Sequence, residues 1–340
     1  QNFQSEMAVF VQNAHSVYQS ILAPLLAELP NSFFSSKVDK LTIIPDDFLF
    51  TLPFEVLVQN KSNSNVQYGD LDYLLSTYDI DYQFSAFMLN QESKVEQEQL
   101  AFFGFAPEFG SQAIVENRSC IRDELYSLRC SQSETENINA FFNGQVLLAE
   151  QANTDAFWTA IEEADILHLA THVCLDAEDQ LNTRVFLSDG YITALDLTGK
   201  QFSNELTVLS ACDTGAGKLV KGEGVASIAR EFMMAGSKST LTSLWSVDDC
   251  STSKIMELYY QQLHQGQEKP IALKQAKQEF LKTADVERAH PYYWAAFLQF
   301  GDAQAIFPAA FDGGMLLYLG LLGILVLGIL FLVRRKQTSV

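Results

Sequence analysis

Ile166-Leu-His-Leu-Ala-Thr-His172 and Val208-Leu-Ser-Ala-Cys-Asp-Thr-Gly215 are the stretches that decide how this chain folds. Each is an apolar run of strand length that stops at one reactive side chain followed by turn-forming residues. Buried strands that end this way belong to an open α/β sheet, where ligands gather outside the carboxyl ends of the strands. If the two strands are neighbours, His172 and Cys212 meet at that edge.

Outward from this pair, the chain alternates between the two periods. Residues 5–29 place Val9, Phe10, Val17, Ile21, Leu25 and Leu29 at helical spacing, with Pro30 as the stop. Leu41-Thr-Ile-Ile44 reads as a strand, and Leu52-Pro-Phe-Glu55 as a turn or short helix. Residues 71–80 and 85–89 fit either a hairpin or a strand and helix, and Ala101-Phe-Phe-Gly-Phe105 is a buried strand. Residues 108–136 form a long polar loop grading into a helix, which Ser133 and Glu136 open with capping-box spacing.

A strand over 145–148 and a helix opened by Asn153-Thr-Asp follow. Past His172, residues 184–187 and 191–192 make a hairpin. Helices are expected over 224–235, 251–263 and 271–282, a strand over 239–245, and a last apolar segment over 292–300. This alternation predicts an α/β fold whose mainly parallel sheet is covered by helices on both faces.

The chain has 340 residues, is 48% hydrophobic and carries a formal charge of −20, so it can bury a large core. Such acidity excludes a nucleic-acid binder, which needs clustered Lys and Arg against phosphate. Residues 315–333 carry no charge and end against Arg334-Arg-Lys336. At helical rise they span roughly 28 Å, a membrane thickness. The expected division is a globular domain 1–304, a linker 305–314, a transmembrane helix 315–333 and a basic tail 334–340.

The basic cluster places that tail in the cytoplasm and the globular domain outside it, in the periplasm or its equivalent; the alternative is a cytoplasmic domain on a tail anchor. An outward domain needs an export signal, and the chain opens Gln-Asn-Phe-Gln, so a removed signal or a larger amino-terminal region is expected before it.

Cysteine usage is compatible with export. With Cys212 kept as a free thiol, Cys120 and Cys130 can close a short disulfide loop in a polar stretch, while Cys174 and Cys250 read as buried free thiols. No close C-x-x-C zinc spacing occurs. A metal site built from His168, His172 and Cys174 lacks a second ligand set, and Gly217-Lys-Leu219 lacks the Ser or Thr of a phosphate loop. No metal or cofactor is called for.

Cysteine chemistry needs a thiolate, which a nearby imidazole or a helix amino terminus provides. His172 fits the general base, and the backbone amides of Cys212 and Val173 fit an oxyanion site beside the flexible Asp213-Thr-Gly-Ala-Gly217. Set against this, a strand-end Cys is often only a small hydrophobe and a His only a hydrogen-bonded core residue.

Six ordered motifs carry a resemblance to a known family. They are Leu41-Thr-Ile-Ile-Pro-Asp-Asp47 with Leu52-Pro-Phe-Glu55, His168-Leu-Ala-Thr-His172, Leu209-Ser-Ala-Cys-Asp-Thr-Gly215, Gly222-Glu-Gly224, Ser243-Leu-Trp-Ser-Val-Asp-Asp249 and His290-Pro-Tyr-Tyr-Trp-Ala-Ala-Phe297. Together, over roughly residues 5–302, they resemble the CHAT domain. The resemblance implies a caspase-like α/β fold related to separase, a His172/Cys212 dyad, a protein or peptide substrate and an upstream tetratricopeptide region.

The chain departs from the family pattern at Val173, where Gly is common; its Cβ is expected to crowd the oxyanion site. Asp248 falls where related enzymes build a specificity pocket, which implies a preference for a basic residue before the scissile bond; Asp213 is placed with it as a second substrate-binding acid. Asp248-Asp249 fits a helix cap equally well. Trp245 and Trp294 read as core or wall. The alternative function is a catalytically quiet scaffold that binds partners through its upstream region.

Overall fold

Strict side-chain alternation along four buried strands gives this sheet two faces, each roofed by its own helices. The computed structural model describes residues 2–28, 38–61, 67–90, 99–109, 125–176, 180–210, 212–213 and 226–308. In chain order the elements begin α1 (Asn2–Ile21), α2 (Ala23–Glu28), β1 (Lys40–Ile43), α3 (Leu74–Thr77), β2 (Asp79–Tyr82), β3 (Phe102–Ala106), α4 (Ser131–Asn139), β4 (Gln145–Leu148) and α5 (Thr154–Glu163). The middle of the chain holds β5 (Ile166–Leu169), β6 (His172–Cys174), β7 (Arg184–Leu187), β8 (Gly190–Thr193), α6 (Ala194–Leu197), β9 (Leu206–Leu209) and β10 (Cys212–Asp213). Then come α7 (Ala226–Met234), β11 (Ser239–Ser243), α8 (Asp249–His264), α9 (Lys269–Thr283), α10 (Pro291–Trp294) and β12 (Phe297–Gly301).

Among the described residues the main sheet runs β1-β2-β12-β11-β9-β5-β3-β4, and a smaller one runs β10-β6-β7-β8. The main sheet is parallel within two blocks that meet at one antiparallel join, β11 against β12. This is the mainly parallel, helix-covered α/β sheet that the alternation predicts. Phe102, Ile166, Leu206 and Val208 enter one core with Ile138 of α4 and with Ile255, Tyr259 and Tyr260 of α8. Their neighbours Phe103, Leu167 and Leu209 enter the other core with Phe157 of α5 and Phe232 of α7. Each fully buried ring of this kind contributes about 1.5–3 kcal/mol relative to exposure.

Several local expectations change. The opening helix does not run unbroken: α1 stops at Ile21 and the short α2, with Pro24 in its first turn, carries the chain on. The helix after the polar loop starts at Ser131, with Cys130 at its cap position, so Ser133 is inside it. Ser133 Oγ donates to the Cys130 carbonyl, 3.0 Å, instead of capping. The 52–55 motif enters a 3₁₀ turn whose Glu55 is buried: Oε1 accepts from Lys277 Nζ at 2.9 Å and Oε2 from the Tyr82 hydroxyl at 2.6 Å. Residues 315–333, expected to span a membrane, lie outside the described residues. Among the described residues no helix is long and apolar enough to cross one.

Among the glycines that geometry requires, two seat helices against the sheet. A Cβ on Gly104 in β3 would collide with Thr135 of α4, so glycine there lets α4 lie close on the sheet. Gly236, at φ +124°, ends α7 and turns the chain into β11, and a Cβ there would run into the Phe202 carbonyl. Gly236→Ala combines backbone strain with that collision, so urea unfolding should report a loss of about 2 kcal/mol or more. A loss below a few tenths would contradict this account of the turn.

Candidate functional site

β5 and β9 pair in parallel with a forty-residue offset, Ile166 opposite Leu206 and Leu169 opposite Leu209. Both chains then leave the main sheet. On the β5 side, Ala170 N donates to the Phe105 carbonyl at 2.8 Å and Thr171 Oγ1 to the Phe186 carbonyl at 2.6 Å, which swings the chain into β6. The offset survives the break: His172 stands opposite Cys212, and Val173 opposite Asp213. At Cys212 and Asp213 only the backbone is described, and residues 214–225 lie outside the described residues.

His172 is fully buried between the rings of Phe109 and Tyr126, each 5.3 Å away centroid to centroid. Its Nε2 lies 2.7 Å from the Tyr126 carbonyl oxygen. A carbonyl only accepts, so Nε2 carries the hydrogen and Nδ1 keeps its lone pair. Nδ1 is buried and, among the described residues, has no hydrogen-bond partner. Burial pushes the imidazole pKa below its ordinary 6.5, and the Tyr126 carbonyl works in the opposite direction. A neutral imidazole with one nitrogen spent and the other vacant has the form of a general base.

The segment that supplies this carbonyl, residues 125–130, is tied down at several points. Ser127 Oγ accepts from Phe109 N, 3.1 Å, and Leu125 packs with Cys174 and Phe186. Arg129 N donates to Asp249 Oδ2 at 2.8 Å, and Cys130 forms a disulfide with Cys250, the Cα atoms 5.3 Å apart. Burial raises the Asp249 carboxyl above the usual range, against the pull of the Arg129 amide. The pairing corrects two expectations. Cys130 does not close a short loop with Cys120, which lies outside the described residues, and Cys250 is not a free thiol, because the starts of α4 and α8 meet in space. Cys174 is disulfide-bonded as well, which corrects its reading as a buried thiol.

Beside this, a fully buried polar cluster joins α4 and α8 to the two strands. Glu134 Oε1 lies 3.0 Å from His168 Nε2 and accepts from Ser210 Oγ at 2.5 Å, while His168 Nδ1 lies 3.2 Å from the Tyr260 hydroxyl. Both His168 nitrogens are therefore occupied, which removes the metal reading with His172 and Cys174. Neither Glu134 nor the Tyr126 carbonyl was legible beforehand. One lies 34 residues from its partner in sequence, and the other acts through backbone, so its residue type carries no signal.

Asp248 caps α8: its Oδ1 accepts from Ser251 N at 3.0 Å and from Ser251 Oγ at 2.8 Å, as the cap reading expects. It also lines a cleft of about 380 Å³ with Val247, Glu287, Arg288, Tyr292 and Tyr293. The Val173 side chain does not face solvent at the site but is buried in the core beside Leu169 and Val185. Trp294 is fully buried with its Nε1 on the Ala289 carbonyl, and Trp245 donates to the Tyr292 carbonyl, so both hold structure.

Because the folded state resists protonating His172, the unfolded chain takes up more protons as pH falls below 6.5, and stability is lost there. In urea unfolding compared at about pH 7.5 and about pH 5.5, His172→Gln should lose less stability than the wild type, by up to about 1.4 kcal/mol per unit of pKa difference. Equal pH slopes would count against a depressed His172.

Among known proteins, tetratricopeptide repeat protein 28 of Homo sapiens is 22% identical to this chain, covering 84% of it. The chain spans only 13% of that relative's length. Among solved structures, separase in the Saccharomyces cerevisiae separase–securin complex superposes with a TM-score of 0.45 at 14% identity, over 74% of this chain and 14% of that one. The complex of Porphyromonas gingivalis RgpB pro- and mature domains gives 0.49 at 9% identity, over 88% and 69%. The CHAT domain family model matches residues 11–302, and the chain therefore belongs to the CHAT family.

Proposed function

We propose that this domain is a cysteine endopeptidase in which Cys212 is the nucleophile and His172 its base. The observation that carries the reading is the register of β6 with β10, which sets Cys212 opposite a histidine whose Nε2 is spent and whose Nδ1 is vacant. In the proposed reaction Nδ1 takes the thiol proton as sulfur attacks the scissile carbonyl carbon. The carbonyl becomes an oxyanion met by backbone amides at the strand end, that of Cys212 first. The imidazolium, steadied by the Tyr126 carbonyl on Nε2–H, returns the proton to the leaving amine. Water activated by Nδ1 then releases the acyl group. Because the His172 ring is buried, substrate must enter by displacing part of the Phe109 and Tyr126 cover.

The substrate we assign is a peptide with a basic residue before the scissile bond. Asp248 and Glu287 put two carboxylates in one cleft, and Tyr292 and Tyr293 add aromatic faces for a guanidinium. The apolar run 315–333 followed by Arg334-Arg-Lys336 supports anchoring in a membrane with the domain on the extracytoplasmic side. The Cys130–Cys250 disulfide accords with an oxidising compartment.

A second reading is a quiet scaffold that serves an upstream tetratricopeptide region. The complete burial of His172 favours it, as does the tetratricopeptide name of the curated relative.

Cys212→Ala and His172→Ala, tested on a peptide library, should each lower cleavage by about a thousandfold or more. Equal residual cleavage in wild type and both variants would leave the scaffold. Asn is also a good N-cap, so Asp248→Asn keeps α8 capped while removing the charge. It should lower kcat/KM about tenfold or more for Arg peptides and little for neutral ones. An equal drop for both classes would remove Asp248 from specificity.

A further inference from the structure

We infer that the Cys130–Cys250 cystine and Asp249 are positioning residues that set the tautomer of His172 through the Tyr126 carbonyl. The inference rests on the reading of His172 as the base and adds what keeps it in the competent form. A neutral imidazole in water populates both tautomers, and only the Nε2–H form leaves Nδ1 free to take a proton. Among the described residues the choice falls to one acceptor, the Tyr126 oxygen 2.7 Å from Nε2, with no competing partner on Nδ1. Second partners of this kind commonly fix a histidine's tautomer and ring orientation.

A backbone carbonyl in a non-helical segment is only as well placed as the segment itself. Residues 125–130 precede α4 without regular secondary structure, and Tyr126 is largely exposed. Leu125 and Ser127 tie the near end of the segment, and its far end is tied to α8. Arg129 and Cys130 are joined to consecutive residues of α8, Arg129 N to Asp249 Oδ2 at 2.8 Å and Cys130 to Cys250 covalently. α8 is in turn a rigid anchor, with Ile255, Met256, Tyr259, Tyr260 and Leu263 fully buried. The path from anchor to base is five residues of chain, from Cys130 back through Arg129, Leu128 and Ser127 to Tyr126 and its oxygen. Among the described residues the contacts of His172 are with Tyr126 and Phe109 and not with Asp249 or the cystine, so both act through the carbonyl.

The test reads the tautomer directly, without turnover. Protein labelled with ¹⁵N-histidine distinguishes Nε2–H from Nδ1–H by nitrogen chemical shift, and His172→Gln assigns the signal. The full chain, a Cys130→Ser/Cys250→Ser double variant, Asp249→Ala and Lys269→Met are compared at neutral pH. Lys269→Met breaks the buried Lys269–Asp302 pair away from the site and controls for lost stability.

Wild type should give one His172 Nε2–H signal. The cystine variant and Asp249→Ala should raise the Nδ1–H population to about a tenth or more. Lys269→Met should lower Tm and leave the tautomer unchanged. Should the double variant fail to fold, Asp249→Ala carries the test alone. An unmixed Nε2–H signal in the folded variants overturns the inference, and so does a mixture of equal size in Lys269→Met. If peptide cleavage is also observed, kcat should fall about tenfold in the positioning variants with KM kept. If no cleavage occurs in wild type, the endopeptidase reading fails while the tautomer result still stands or falls by itself.

Discussion

Parallel pairing of β5 with β9 is the constraint on which the site depends. Because the side-chain period of a strand is two, a slip of one residue would turn Ile166, Leu206 and Val208 out of one core and Leu167 and Leu209 out of the other. Burial on both faces therefore locks the register more firmly than either face could. The same offset then continues through the bends after Leu169 and Leu209, with Val173 still packed in the core, and delivers His172 opposite Cys212. The expensive precision is generated in the core and exported along the chain to the sheet edge.

α4 is the element that couples this edge to the rest of the fold. It lies close on β3 because Gly104 offers no Cβ to Thr135, and that closeness lets Glu134 reach both His168 and Ser210. A buried carboxyl is tolerable only when its acceptors are used, and here one oxygen serves two strands. At its amino end α4 is bonded to α8 through Cys130 and Cys250, closing a loop of sequence separation 120. In chain-entropy terms such a closure contributes about 4–5 kcal/mol to stability. The helix is thus fastened on its sheet side by hydrogen bonds and on its helix side by a covalent link.

Much of this was legible from residue order. Strand-length apolar runs located β3 and β11 to within two residues and overlapped β5 and β9, which end three residues short of His172 and Cys212, and Asn153 opened α5 as a cap, its Oδ1 accepting from Ala156 N at 2.9 Å. His172 and Cys212 stood out because each interrupts an apolar run before turn residues. Less legible was what depends on distant segments. Ser133 and Glu136 have capping-box spacing, yet the cap falls three residues earlier, at Cys130, which is tied to α8. Spacing favoured a short Cys120–Cys130 loop, and proximity in three dimensions chose Cys250 instead.

The sequence by itself determined the alternation of strands and helices, the placing of reactive residues just past two buried strands and the membership of the CHAT family, since these rest on local periodicity and on motifs contiguous in the chain. Only the tertiary structure decided that β5 and β9 are adjacent, that His172 presents Nδ1 and not Nε2, and that Asp248 caps a helix while lining a cleft. These depend on which backbone atoms and which distant side chains meet, and a carbonyl oxygen, present at every residue, leaves no mark in the sequence of where it will be used.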